Sequence, residues 1–481
     1  MSFRLGAGIL AAASAAVSLS FLRRSRNLDT PRCAPAAAKQ HTKRVVIIGG
    51  GVMGASTAWN LTHRTHKGDV QVTLIDANHP IRGSWHESRI ARSAYEDTMY
   101  VKMVLRAFEH WRRLEQEAGK GQLIFMTGIL DIGAKDKLPQ LVQAYRELGM
   151  PVELFSGATA ESRQKFERRF PTIRLGPTQE AVYQKDTAML MADVCVQSML
   201  EIAEKRGAVL HLDDAVVKID RASRTVTTQK GVVCEYDQLV VASGPWTNAC
   251  LNLAGLGLIP MVVSNEQAVY LQLRKGVDES AMEPDKSPVV VEHDTNIYAV
   301  PHLPGGVAGC KIGAHAAGDF MDNDEFILPA GAVAMLKQLE QPSKDIHAVQ
   351  SDEIHLPMLK VVQDSAKLTF PLLDHTSGAD TYTRCLYQNL MRNSRATGRM
   401  SEYSSDFAAG PHPEDRNVLV TAGFTGEGFK FGPVIGELLT DYLLGEQQEK
   451  VPDMRKRFAL DNGSLDIFPS NSSPQIIQNE K

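Results

Sequence analysis

Three glycines spaced G-x-G-x-x-G, Gly49, Gly51 and Gly54, are followed 25 residues past Gly51 by an acid, Asp76. This spacing suits a dinucleotide. Gly49 permits a tight turn, Gly51 lets backbone approach a pyrophosphate, and Gly54 lets a helix pack closely on the strand before it. Val52 and Met53 fall at the start of that helix, whose unpaired N–H groups and partial positive charge attract phosphate. Asp76 is placed to accept hydrogen bonds from an adenosine ribose. A second set of residues is cationic: Arg89 and Arg92 lie three apart, and Lys311 and Lys430 each sit between apolar or glycine neighbours. Arginine pairs with a carboxylate through two bonds and lysine adds a point charge. The bland alternatives are a solvated basic face and an edge-strand lysine.

The elements that must position these residues are legible nearby. Arg44 to Ile48 is a short β-branched run, as expected of a strand buried on both faces. Ala55 to Leu61 reads as helix, and Val70 to Ile75 as a second strand ending at Asp76. The glycine motif therefore stands between strand and helix, with the acid at the next strand end. That context raises it well above a lone glycine pattern. Asp193 to Arg206 reads as helix and Ala208 to Ile219 as one strand. Tyr236 to Trp246 reads as a buried strand that turns sharply at Gly244. Arg89 and Arg92 are expected on a helix or irregular turn that brings them to one patch. His315, four residues from Lys311, shares its face by strand alternation. Only one fingerprint is present and it opens the fold, which favours FAD over a pair of dinucleotides.

Composition narrows the class. With 43% hydrophobic and 22% charged residues, the 481-residue chain can bury a core and suits two interlocked domains. A formal charge of −4 argues against nucleic acid as a partner. The six cysteines are widely spaced with no C-x-x-C pair, which disfavours a zinc site or a disulfide framework, so no metal is expected. Residues 1–42 read as a targeting or anchoring segment with its linker. Gly6 to Leu22 is apolar and alanine-rich, arginines flank it, and the first acid is Asp29. A mitochondrial presequence and a membrane anchor through residues 6–22 both fit, and the trailing arginines are the wrong flank for a secretory signal. The final residues, Gln478 to Lys481, are not a peroxisomal Ser-Lys-Leu-type address.

Five segments together resemble the monomeric sarcosine oxidase, N-methyltryptophan oxidase and pipecolate oxidase group of flavoproteins. They are Gly83-Ser-Trp-His-Glu-Ser-Arg-Ile-Ala-Arg92-Ser-Ala-Tyr95, Leu239-Val-Val-Ala-Ser-Gly-Pro-Trp246, Gly309-Cys-Lys311-Ile-Gly-Ala-His315, Cys385-Leu-Tyr387 and Gly423-Phe-Thr-Gly-Glu-Gly-Phe-Lys430-Phe. The last is the most specific, and the likeness spans about residues 43–446. It implies an α/β fold of the glutathione-reductase or D-amino-acid-oxidase kind, a Rossmann-type FAD-binding domain interleaved with a mixed β-sheet substrate domain. The FAD domain would take 43–128, 180–260 and 384–446, the substrate domain 129–179 and 261–383, and a tail 447–481. The resemblance further implies oxidation of a secondary amine or N-methyl amino acid, with oxygen as acceptor and a monomeric chain.

Residue roles follow from the same likeness. Arg92 and Lys430 would bind a substrate carboxylate. Arg89 and His86 would lie near the isoalloxazine, Lys311 against the flavin to promote electron transfer to oxygen, and His315 near substrate. Ser84, Val216, Gly244, Trp246, Gly426 and Gly428 would contact FAD, with Val216 near the adenine, and Cys385 would carry FAD through a thioether. Three departures stand out. The Gly83–Tyr95 segment is one residue short, with Glu87 and Ser88 in place of Gly-Asp-Thr. Leu390 to Ser405 is enlarged and reads as an exposed loop. Glu427 stands where the group has histidine, which points to a more cationic or less acidic amine than sarcosine. Two other readings remain open: a dehydrogenase passing electrons to a quinone or an electron-transfer protein, and a flavin-fold assembly factor without catalysis.

Overall fold

A computed structural model describes residues 42–66, 68–79, 83–84, 86–303, 305–315, 319–320, 354, 356–393, 400–403, 406–461 and 467. The presequence or anchor expected in residues 6–22 lies outside the described residues. Among those described, no helix is long and apolar enough to cross a membrane.

The run Lys43–Ile48 is the centre of a six-stranded sheet. It pairs in parallel with Val70–Asp76 on one side and Gln238–Val241 on the other. Val209–Leu212 extends the first side, and Asp415–Ala422 extends the second. An antiparallel edge strand, Ala408–His412, closes the order. Val45, Val46, Ile47 and Ile48 are all buried, so the unbroken apolar run is the signature of a strand covered on both faces. Helix Val52–Arg64 follows the glycine turn and packs against helix Gly432–Leu444. The approach is close: Ser56 Oγ donates to the Gly432 carbonyl at 2.7 Å, and a Cβ on Gly436 would lie 2.5 Å from Ser56 Oγ. This contact fixes the Gly423–Phe431 segment beside the first helix.

The second sheet has ten strands and is mixed. Its main path runs Met400–Tyr403, Tyr382–Asn393, Met261–Leu271, Cys310–Ala314, Ile297–Val300, Val289–Glu292, Ile129–Ala134, Gln179–Gln184, Glu153–Ser156. Only Val289–Glu292 beside Ile129–Ala134 is parallel along this path. The strands at Gln179–Gln184 and Tyr382–Asn393 thus span the expected domain boundaries near 180 and 384. A three-stranded antiparallel sheet pairs Ser88–Ala91 and Ile124–Met126 with Ala188–Met191.

Three expectations are corrected. Arg89 lies on the strand Ser88–Ala91 and Arg92 immediately after it, not on a helix or turn. Pairing to Ala188–Met191 supplies the hydrogen bonds that a helix would otherwise provide. Ala208 to Ile219 is two strands in different sheets, Val209–Leu212 and Val216–Asp220. The break falls at Asp213, at φ 55°, a left-handed conformation that aspartate tolerates better than most residues. Finally, Leu390 to Ser405 contains two paired strands, with Met391 opposite Tyr403. Leu390 is buried in the core beside Ile259, Met261 and Val418, which anchors the strand that precedes.

Candidate active site

Strand register assembles the site. Cys385 pairs with Glu266, Thr383 with Ala268, Gly313 with both Ala268 and Tyr298, and Lys311 with Tyr270 and Val300. Paired residues point to the same face of a sheet, and so do residues two apart on one strand. Lys311, Tyr298, Glu266, Cys385 and Tyr387 therefore face one cleft of about 1080 Å³. His315 lines it too, just beyond the strand end at Ala314. Gly313 matters for space, since a Cβ there would lie 2.5 Å from the Tyr298 hydroxyl.

The opposite wall comes from the small sheet and the glycine-rich turn. Arg89, Arg92, Glu427, Phe429 and Lys430 line this same cleft. Lys311 Nζ donates to the Ser88 carbonyl at 3.1 Å and so bridges the two walls. Burial, reinforced by the Arg89 cation, pushes Lys311 down to about 8. Arg89 Nη2 donates to Cys385 Sγ at 3.1 Å.

Arg92 and Lys430 converge as expected, but on a carboxylate of the chain itself. Arg92 Nη2 donates to Glu427 Oε1 at 2.7 Å. The Tyr95 hydroxyl donates to Glu427 Oε2 at 2.6 Å, and Lys430 Nζ donates to the Tyr95 oxygen at 2.7 Å and to the Glu427 carbonyl at 2.9 Å. Burial opposes ionisation of Glu427, yet Lys430 and Arg92 hold its carboxyl well below the usual range. Burial also pushes Lys430 down to about 8, against the pull of Glu427.

A second cleft, of about 1430 Å³, meets the first where Arg89, Tyr387, Gly426 and Phe429 line both. Gly49, Gly51, Val52, Met53, Asp76, Ser84, Val216, Gly244, Trp246 and Gly428 line it as well. Its lining suits a dinucleotide. Asp76 and Val216 lie among its walls, the N-terminus of helix Val52–Arg64 opens into it, and Ser84 Oγ accepts from the Val52 N–H at 3.1 Å. Gly49, at φ 106°, presses against the neighbouring strand, where a Cβ would meet the Ala242 oxygen at 2.3 Å. Gly426, at φ 73°, leaves room for the Tyr387 ring, which a Cβ would meet at 2.1 Å.

Two expected residues sit apart from the clefts. Gly54 packs helix on strand, where a Cβ would lie 1.8 Å from the Gly49 oxygen. His86, at φ 84°, donates through Nε2 to the Arg384 carbonyl at 2.8 Å and so holds the turn before Arg89. The sequence alone does not single out Tyr95, Glu266 or Tyr298 as site residues. Tyr95 ends the Gly83–Tyr95 motif, three residues after Arg92, and so carries a local signal. Glu266 and Tyr298 reach the site only through cross-strand pairing, which leaves no local mark in sequence.

A parallel nucleotide-binding sheet joined to a mixed sheet, with a dinucleotide cleft opening onto a cationic pocket, defines a flavoprotein oxidoreductase. The family model described as FAD dependent oxidoreductase matches residues 44–442, and the chain belongs to that family. Its cofactor is FAD. The chain is 25% identical over 422 residues to monomeric sarcosine oxidase of Streptomyces avermitilis, covering 84% of this chain and 94% of that one. It is 27% identical over 407 residues to peroxisomal sarcosine oxidase of Mus musculus, covering 82% and 90%. Among solved structures, NikD, an unusual amino acid oxidase essential for nikkomycin biosynthesis, matches with a TM-score of 0.64 at 19% identity, over 87% of this chain and 98% of that one.

Proposed function

We propose that the chain oxidises a C–N bond of a secondary or N-methyl amine and passes the electrons to oxygen, giving hydrogen peroxide. The substrate loses a hydride from the carbon beside nitrogen and a proton from the nitrogen. The resulting imine is hydrolysed to a carbonyl compound and an amine. FAD, when bound, supplies the two-electron chemistry, accepting the hydride and returning the electrons to oxygen. The observation that carries this reading is the buried Lys311 in the first cleft, within the same pocket as Cys385 and as Arg89, which also lines the dinucleotide cleft. The names of the sarcosine oxidase relatives point the same way.

The chain's own residues have separable tasks in this reading. Gly49, Gly51, Val52, Met53 and Ser84 hold the pyrophosphate, Asp76 the ribose, and Val216 the adenine. Gly244, Trp246, Gly426 and Gly428 shape the remaining walls, and Cys385 is the point of covalent attachment. Lys311 places a fixed cation beside the site of oxygen reduction, where negative charge develops. Arg89 orients Cys385, and Tyr298 and His315 bound the substrate space. The protein works as a monomer on two interleaved domains. The apolar run Gly6 to Leu22, flanked by arginines and followed by its first acid only at Asp29, supports delivery to a mitochondrion or attachment to a membrane.

The test is a panel of secondary amines offered to the purified protein, with peroxide release and flavin bleaching followed together. Bleaching with peroxide supports the oxidase. Bleaching that persists in air, and is relieved by a quinone, replaces oxygen with another acceptor. No bleaching with any amine overturns the reading.

A further inference from the structure

The site that should receive a substrate carboxylate already contains one. Glu427 takes Arg92 through Oε1 and the Tyr95 hydroxyl through Oε2, while Lys430 is tied to the Tyr95 oxygen and to the Glu427 carbonyl. The Lys430 ammonium is 3.8 Å from Oε2. The guanidinium edge and the phenol that would grip an anion are thus engaged by the chain. The arrangement is supported from behind: Tyr95 stacks on Tyr100 at 5.3 Å, and Trp111 Nε1 donates to the Lys430 carbonyl at 3.0 Å.

An incoming carboxylate meets two obstacles. It must draw Arg92 away from Glu427, or it must share the site with a second carboxylate. Like charges in a poorly solvated pocket disfavour each other's ionised form. A second cation fares no better. Arg89, Arg92, Lys311 and Lys430 line the cleft against two carboxylates, Glu266 and Glu427, which leaves the wall positive. A neutral polar group escapes both. A carboxamide donates its N–H to Glu427, whose oxygens retain free lone pairs, and its oxygen accepts from Lys430 or Arg92.

We infer that Glu427 is a built-in counter-anion that sets the substrate class, selecting amines that carry an uncharged polar group, such as a carboxamide, where sarcosine carries its carboxylate. The substrate half of this inference rests on the amine-oxidation reading, and the exclusion of anions does not. Specificity of this kind works through repulsion of the wrong ligand as much as attraction of the right one.

The experiment uses the flavin-loaded full chain and its Glu427→Gln variant. Acetate is titrated into both, with the flavin visible spectrum and calorimetric heat as readouts. The kcat/KM values for N-methylglycine and N-methylglycinamide are measured alongside. The expected result is acetate binding at least about tenfold tighter to the variant than to wild type. Wild type is expected to prefer the amide by at least about tenfold, and the variant to lose or reverse that preference. Equal acetate affinity in the two proteins, or a wild-type preference for N-methylglycine, overturns the inference. If neither amine reduces the flavin while others of the panel do, the substrate half of the inference falls; if no amine does, the amine-oxidation reading falls; in both cases the acetate titration still decides whether Glu427 excludes anions. Should the variant not fold, the wild-type preference between the two amines decides alone.

Discussion

Arg89 Nη2 lies 3.1 Å from Cys385 Sγ, and this one hydrogen bond joins the small three-stranded sheet to the long strand Tyr382–Asn393. Arg89 also donates to the Gly83 carbonyl at 3.0 Å, so the guanidinium ties the turn that carries Ser84 to the strand that carries the thiol. The thiol is thereby held by a residue, Arg89, that lines both clefts.

If Cys385 carries the flavin, acid precipitation of wild type leaves yellow colour in the pellet. The Cys385→Ala variant is expected to release it to the supernatant while still purifying with flavin, because the residues lining the dinucleotide cleft, Cys385 not among them, are untouched. Arg89→Lys keeps the charge but loses the Nη2 group that donates to both Gly83 and the sulfur, and is expected to lower the covalent fraction. Flavin that stays in the pellet of Cys385→Ala eliminates this attachment point.

The first and second glycines of the fingerprint should fail differently. At Gly49 a methyl group meets the Ala242 oxygen at 2.3 Å and the backbone is left-handed at φ 106°, so Gly49→Ala is expected to prevent folding. At Gly51 the nearest atom to an added Cβ is Ser84 Oγ at 3.3 Å, a side chain able to move. Gly51→Ala is expected to fold but to hold little FAD, since the methyl group stands where backbone must approach phosphate. Circular dichroism and flavin-to-protein absorbance ratios separate the two. Equal flavin content in Gly51→Ala and wild type contradicts the assignment.

The parts legible in sequence are those whose physics is local. A strand, a glycine turn, a helix and an acid at the next strand end follow one another between Lys43 and Asp76, and each constrains its neighbour. The site face of the second sheet is different. Glu266 joins Cys385, and Tyr298 joins Gly313, across strands whose partners are far away in sequence. The burial of Glu427 against Arg92 and Lys430 was equally hidden, although its substitution for histidine marked it as a departure. Leu390–Asn393 and Met400–Tyr403 read as loop because serines and arginines are frequent around them, while their pairing follows from the buried residues that begin the strand.

Leu390 gives that pairing a thermodynamic test. It is fully buried, and a Cβ on Gly423 would lie 2.7 Å from its own Cβ, so the packing around it is tight. Leu390→Ala removes a fully enclosed side chain and is expected to cost about 2–5 kcal/mol. Thermal unfolding of the flavin-loaded protein should report a clear fall in Tm. A shift of less than a degree or so would mean that this stretch is the exposed loop its composition indicates.

Lys311 gives the oxygen half-reaction a pH dependence of known sign. Burial and the Arg89 cation bring the ammonium down to about 8, so it is charged below that value and neutral above it. If its charge stabilises electron density developing on oxygen, reoxidation is fast at pH 7 and slows as pH rises through about 8. Lys311→Met, of similar length and no charge, is expected to slow reoxidation by about 100-fold or more at pH 7, in line with loss of one preorganised electrostatic partner. Reduction of the flavin by substrate is expected to change far less. Lys430, also brought to about 8, titrates in the same range, but it contacts Tyr95 and Glu427 on the opposite wall. Stopped-flow reoxidation of dithionite-reduced protein requires no substrate, and comparing wild type with Lys311→Met separates the two lysines. A pH step near 8 that persists unchanged in Lys311→Met would assign the titration to another group and remove Lys311 from the oxygen reaction.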